Sequence, residues 1–375
     1  MKKDLPLIIR IILMMVLISF IVAITILKTN SDICEAFMRG PGRTYAFVMS
    51  KISAIAPFSL TELFYILLFL GVGYLLVMTI ICLFKKKWLI ASHRFLDAAL
   101  IVLLMFSFYT YSCEMAYNRK ELPLPYYENE VLRTEHVDIY NYFADDCNYC
   151  ISQLEFDENG DVISKLSFKE IVEEVKKSYV IIDGNDYYHA HFGNAKEMAS
   201  SALFREFQIT GVDYSPLAEA NINILNTKSD IPLTIAHELA HTKGVMREDD
   251  ANKLAFYICL NSDHPYLRYS AYCSYFYQLE AMTTSYYLTD EEKQTLHPID
   301  SALYKTRRYV YDYWKKHDLL GDMADFFNNL YIKASGVEEG TNSYQGGTEY
   351  HHDPTTSKLI PSLYQKLFFD KYYRS

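Results

Sequence analysis

Three long apolar runs dominate the first third of the chain, at Ile11–Leu27, Leu63–Phe84 and Phe95–Cys113. The first two carry almost no charge, and each is long enough to cross about 30 Å of hydrocarbon as a helix. The third holds Asp97 near its start. No small-residue cleavage site follows the first run and further apolar runs do, so it reads as a retained span rather than a signal peptide. The pattern predicts a membrane region over residues 1–113 with three transmembrane helices, followed by a soluble domain over 114–375.

Beyond residue 113 the apolar positions become periodic rather than continuous. Residues 114–150, rich in Tyr and Pro, predict an extended membrane-proximal connection ending near Cys147 and Cys150. Helical spacing predicts helices over 164–178, 195–207, 248–261, 265–286, 299–317, 320–334 and 358–373. Val180–Asp183 and the alternating Ala220–Leu225 predict short strands, and the second of these is expected to border a cleft. Residues 336–357, with their Gly, Ser, Thr and Asn, predict a loop. The expected fold is mainly α, with a small sheet.

The segment with the most chemical content is Thr234-Ile-Ala-His237-Glu238-Leu-Ala-His241-Thr-Lys-Gly244. Two His four apart share one helical face, where both imidazoles can reach one Zn²⁺, and the Glu beside the first can take a proton from water activated there. Ser229 or Asp230 can cap this helix, Pro232 suits its first turn, and Gly244 is a natural stop. Downstream, Glu248-Asp-Asp-Ala251-Asn252 resembles the Glu-x-x-Ala-Asn/Asp signature that opens the second zinc helix of gluzincin-type peptidases. That resemblance makes Glu248 the third ligand and Asn252 a residue that orients a ligand His. The spacing departs from it: only six residues separate His241 from Glu248. The Gly three residues after His241 is similar to the metzincin pattern, but the third ligand there would fall on Arg247, which cannot bind a cation. Asp249 stands as the alternative to Glu248.

The whole pattern, His-Glu-x-x-His-x-x-Gly-x-x-x-Glu-x-x-Ala-Asn, resembles the bacterial family called domain of unknown function 3810. The likeness extends upstream to Gly211–Pro216 and Glu219–Asn223, and downstream to Ser262–Tyr272, Leu330–Ala334 and Ser343-Tyr344. It implies a membrane-anchored zinc metallopeptidase of the cell envelope, with a zincin-like, helix-rich α+β soluble domain. It names no substrate beyond a peptide or protein.

Charge sharpens the picture. Residues 1–113 hold eleven Lys and Arg against five Asp and Glu, a net of +6, so residues 114–375 carry −16 of the total −10. A domain so acidic is a poor nucleic-acid partner. Lys2, Lys3 and Arg10 precede the first run, and Lys85, Lys86, Lys87 and Arg94 link the second to the third. Four more basic residues lie in 28–61. The bias predicts a cytoplasmic basic link and an extracytoplasmic C-terminal domain, with the lipid bilayer as a partner.

The seven Cys form no disulfide-scaffold pattern; Cys147 and Cys150 read as loop thiols or a local redox pair, and Cys259 and Cys273 as packing residues. His189 and His191 read as polar surface. Hydrolysis of an amide needs a donor for the developing oxyanion, and the helix after the zinc motif offers Tyr269 and Tyr272, then Arg268. The expected catalytic set is therefore Glu238, Tyr269, Tyr272 and Arg268, with His237, His241 and Glu248 holding zinc. Two other readings remain open: a noncatalytic zinc-stabilised binding or sensor module, and a helical membrane scaffold without metal.

Overall fold

The structure, a computed structural model, describes residues 5–181, 193–283, 288–352 and 359–374. The chain is mainly helical. It begins with α1 (Leu5–Leu27), α2 (Ser31–Phe37), α3 (Arg43–Ser53), α4 (Leu60–Phe84) and α5 (Trp88–Tyr109), which passes through a π-turn into the short α6 (Met115–Tyr117). Of these, α1, α4 and the α5–α6 helix are long and apolar enough to cross a membrane. Their outward faces stay apolar and exposed because almost nothing in the protein covers them. The 28–61 segment is a pair of short helices. Asn30 caps α2 by accepting from Asp32 and Ile33 amides, and Pro41 sits in the wide turn before α3.

The remainder runs α7 (Arg133–Ser152), β1 (Glu155–Phe156), β2 (Val162–Ile163), α8 (Phe168–Ile181), β3 (Asn194–Glu197), α9 (Ser201–Glu206), β4 (Gly211–Tyr214) and β5 (Glu219–Ile222). Then come α10 (Ile231–Thr242), α11 (Glu248–Leu260), α12 (Pro265–Ser274), α13 (Phe276–Glu280), α14 (Asp290–Gln294), α15 (Ser301–Lys316) and α16 (Gly321–Ala334). A 3-10 turn at Gly340–Gln345, the strand pair β6 (His351–His352) and β7 (Leu359–Ile360), and α17 (Leu363–Arg374) complete it.

Several expectations change here. The connection expected over 114–150 contains α7, because Ile139, Phe143, Cys147 and Cys150 form one buried stripe at helical spacing. Cys147 and Cys150 face the core, and all seven Cys are free, buried thiols. The helix expected over 195–207 splits into β3 and α9. The helix expected over 265–286 breaks after Ser274 into α12 and α13. Val180 and Ile181 end α8 rather than starting a strand, and 182–183, with His189 and His191, lie outside the described residues.

The sheet that matters has strand order β3-β5-β4, with β5 parallel to β3 and antiparallel to β4. The strand expected to border the cleft, β5, is instead central and wholly buried. The outer edge belongs to β4, and α10 packs across β5 and β4. Helices α7, α8, α10, α11, α12 and α17 enclose the main core. A second, smaller core joins the apolar helices to the rest through Ile24, Cys34, Met38, Cys113, Tyr117 and Met246.

Buried polar contacts reinforce that junction. Glu219 on β5, fully buried, accepts from the Thr61 amide at 2.9 Å and pairs with Lys196 Nζ at 2.6 Å. It thereby satisfies orphan N–H groups at the start of α4. Lys196 also donates to the Ser53 and Phe58 carbonyls. Arg119 spans Glu35 and the Gly244 carbonyl, which ties α2 to the end of α10.

Candidate metal centre

Helix α10 begins at Asp230, with Pro232 in its first turn, and stops before Gly244, whose φ of +83° only Gly adopts without strain. Helix α11 starts four residues later at Glu248 and packs against α10. The short turn places the first residue of α11 opposite the His237–His241 face. His237 Nε2 and His241 Nε2 stand 3.1 Å apart, and Glu248 Oε2 lies 3.2 Å from the first and 3.5 Å from the second. Three atoms bound at about 2.0–2.1 Å in tetrahedral geometry stand about 3.3 Å apart. The triangle fits one zinc ion, and it is the single such cluster of three His, Cys, Asp or Glu groups among the described residues.

The surroundings set the tautomers. His241 Nδ1 lies 2.8 Å from the Val245 carbonyl, an acceptor only, so Nδ1 carries the proton and Nε2 offers its lone pair. Asn252 stands near enough to His237 to favour its charged form, and donates its side-chain amide to the Tyr344 carbonyl at 3.2 Å. It thus stands where the gluzincin resemblance expects a residue that orients a ligand His.

The protein's own charges act strongly on one another at this centre. Burial pushes the Glu238 carboxyl up to about 8; the His241 charge opposes this, and the Glu248 and Asp213 carboxylates add to it. Burial disfavours a charged His241, but the Glu248 carboxylate outweighs it and raises that imidazole to about 10. His237 is lowered, chiefly by burial. Burial alone would raise Glu248, yet the His241 and His237 imidazoles hold it well below the usual carboxylate range. A cluster that binds positive charge this tightly has the chemistry of a cation site.

Glu238 leans away from the ligands onto β4. It accepts from the Asp213 amide, and a Cβ at Gly211 would come within 2.7 Å of its Oε1, so only Gly fits that point of the strand. On the other side stands Tyr344, a residue singled out in the sequence only through family likeness. Its hydroxyl accepts from Asn328 at 3.2 Å, and burial, with the nearby Glu248 and Glu238 charges, raises its pKa well above normal. Its place within a Gly- and Ser-rich segment hid it, since nothing local distinguishes it from the other Tyr.

The remaining expected site residues lie elsewhere. Tyr269 is fully buried and donates to Thr306 on α15 at 2.7 Å. Tyr272 donates to Asp146 on α7, and Arg268 pairs with the same carboxylate at 3.1 Å. Tyr272 and Arg268 serve an ion network at Asp146, Tyr269 serves a packing contact to α15, and none of the three converges on the centre. Asp249, the alternative ligand, is held by Lys253 at 3.1 Å and Arg247 at 3.4 Å.

Fold and centre together define a mainly helical protein with apolar helices that suggest membrane association, a His-Glu-x-x-His helix and an acidic side chain from the next helix converging on it. The chain belongs to the family described as a protein of unknown function, DUF3810, which it matches over residues 43–350. No curated protein and no solved structure matches it.

Proposed function

We propose that this protein is a membrane-anchored zinc metallopeptidase. The observation that carries the reading is the triangle of His237, His241 and Glu248 atoms at zinc-ligand spacing, on a helix where Glu238 directly follows His237. Zinc bound there supplies Lewis-acid activation of water and of the scissile carbonyl. Glu238 accepts the proton of the attacking water and returns it to the leaving nitrogen. The Tyr344 hydroxyl donates to the oxyanion, the role first sought among Tyr269, Tyr272 and Arg268. The outer edge of β4 pairs with no strand among the described residues and is the edge along which an extended peptide would align, beside the Glu238 that Gly211 accommodates.

The expected experiment is a peptide-library assay on full-length protein. Glu238→Gln keeps zinc and lowers turnover by roughly 10²–10⁴-fold, since Gln cannot accept the proton. Tyr344→Phe also keeps zinc and costs about 100-fold. Equal cleavage by wild type and Glu238→Gln would sink the mechanism.

A second reading, a noncatalytic zinc-stabilised binding or sensor module, is favoured by one observation: the His237 side chain is 15% exposed and Glu238 is buried. Stoichiometric zinc with no cleavage across a broad library would select it. The basic link at Lys85–Lys87 supports an orientation in which the opposite end of the spans, and with it the metal centre, faces away from the cytoplasm. A reporter fused after Ser375 that works only in the cytoplasm, if active, would reverse that side.

A further inference from the structure

Two helices flank the centre and turn apolar faces away from the protein. On the Tyr344 side, α16 shows Met323, Phe326, Phe327 and Leu330 at three- and four-residue spacing, all 44–65% exposed. On the β4 side, α3 shows Phe47, Val48 and Ile52 at 43–48%, and Ile55 just beyond it stands 83% exposed. Isolated exposed apolar residues are ordinary, but two aligned stripes on amphipathic helices are not.

Their height identifies what covers them. The inner face of α16 rests on the end of the third apolar helix: Tyr331 packs on Tyr109 with ring centroids 5.7 Å apart, and Ser335 Oγ lies 2.8 Å from the Tyr109 hydroxyl. Helix α3 connects the ends of α1 and α4 on the same side, and Tyr45 donates to the Pro216 carbonyl just past β4. Both stripes therefore continue the apolar surface of the membrane-crossing helices at the level where aromatic residues meet the headgroups.

We propose that α3 and α16 lie in the interface of one bilayer leaflet and form a collar around the metal centre. Resting on the peptidase reading, the substrates are then polypeptides tethered in that leaflet, presented along β4 between the two helices. Each helix reaches the centre by a short route. Asn328 of α16 holds the Tyr344 hydroxyl, and Asn329 accepts from the Thr341 amide at 3.1 Å. Helix α3 reaches β4 through the Tyr45–Pro216 bond.

The test uses full-length protein in nanodiscs containing phosphatidylcholine brominated along its acyl chains. Native thiols are all buried, so a fluorophore can be placed at Phe327→Cys, at Ile55→Cys or at the exposed control Lys177→Cys. Bromolipid is expected to quench the first two at least twofold and leave the control unchanged. No quenching at position 327 or at position 55 overturns the collar, whether water or a second copy covers that stripe. The substrate class is read by comparing one cleavable peptide with and without an acyl anchor, expecting at least tenfold preference for the anchored form. Equal cleavage of both overturns the tethered-substrate inference while leaving the peptidase reading intact. Quenching with cleavage of neither supports the collar and removes the peptidase.

Discussion

Two buried polar clusters, one shared by α7, α12 and α17 and one shared by α10 and α11, differ in what their atoms point at. Around Asp146, every charge has an opposite partner: Arg268 at 3.1 Å, Lys371 at 3.3 Å and the Tyr272 hydroxyl. Around His237, one atom each of His237, His241 and Glu248 converge within 4.8 Å of one another. The first cluster is complete as a fold element, whereas the second reaches its best electrostatics only by binding something positive. Residue type does not separate them, since both contain acids, bases and Tyr. Convergence on a shared point does.

The comparison can be broken most severely at the metal. His241→Ala is expected to lose essentially all zinc by elemental analysis of the purified full-length protein, because one of three protein ligands goes. Asp146→Ala is expected to keep full zinc. Zinc retained in His241→Ala would erase the distinction between the clusters.

A smaller effect runs the other way. Asp146→Ala leaves Lys371 and Arg268 without their shared carboxylate and is expected to destabilise the fold by about 3 kcal/mol in denaturant unfolding. Glu238→Gln is expected to cost far less stability. A destabilisation below about 1 kcal/mol for Asp146→Ala would show that the network contributes little.

The smallest effect is in pH. Burial alone would raise the Asp146 carboxyl, but Lys371, Tyr272 and Arg268 hold it below its ordinary value. A carboxyl with a depressed folded pKa contributes stability that is present above the unfolded value, about 3.9, and is lost as pH falls through the folded one. The stability gap between wild type and Asp146→Asn is therefore expected to be level at neutral pH and to narrow below about pH 4. A gap that widens on acidification would reverse the sign of the shift.

The helices carrying the centre were legible because their chemistry is local. His237 and His241 share a face by spacing alone, and a six-residue gap with Gly244 in it can only bring Glu248 back alongside. Which Tyr stands by the centre was not legible. Choosing Tyr269 or Tyr272 meant knowing which way α12 turns its hydroxyls, and that depends on α7 and α15, far away in the chain. Tyr344 reaches the centre from about 100 residues downstream through a segment with no periodicity. Strand β3, read as helix, spells Asn194-Ala-Lys-Glu, four residues whose strand state comes from pairing with β5 rather than from propensity. Helix α7 was hidden because Tyr and Pro before it masked the stripe that Ile139 begins.

The Glu219 junction bears on modularity. A membrane anchor is often pictured as an interchangeable tether, to be cut away for convenience. Here the first turn of a helix apolar enough to cross a membrane supplies donors to a buried carboxylate in the central strand, and Lys196 draws two further acceptors from the same end of the chain. Cutting after residue 113 would leave the buried Glu219–Lys196 pair without the Thr61 amide and the Ser53 and Phe58 carbonyls that complete its hydrogen bonding, beside the strand that supports Glu238. The unit that folds, and that any engineering or expression strategy must keep whole, includes the anchor.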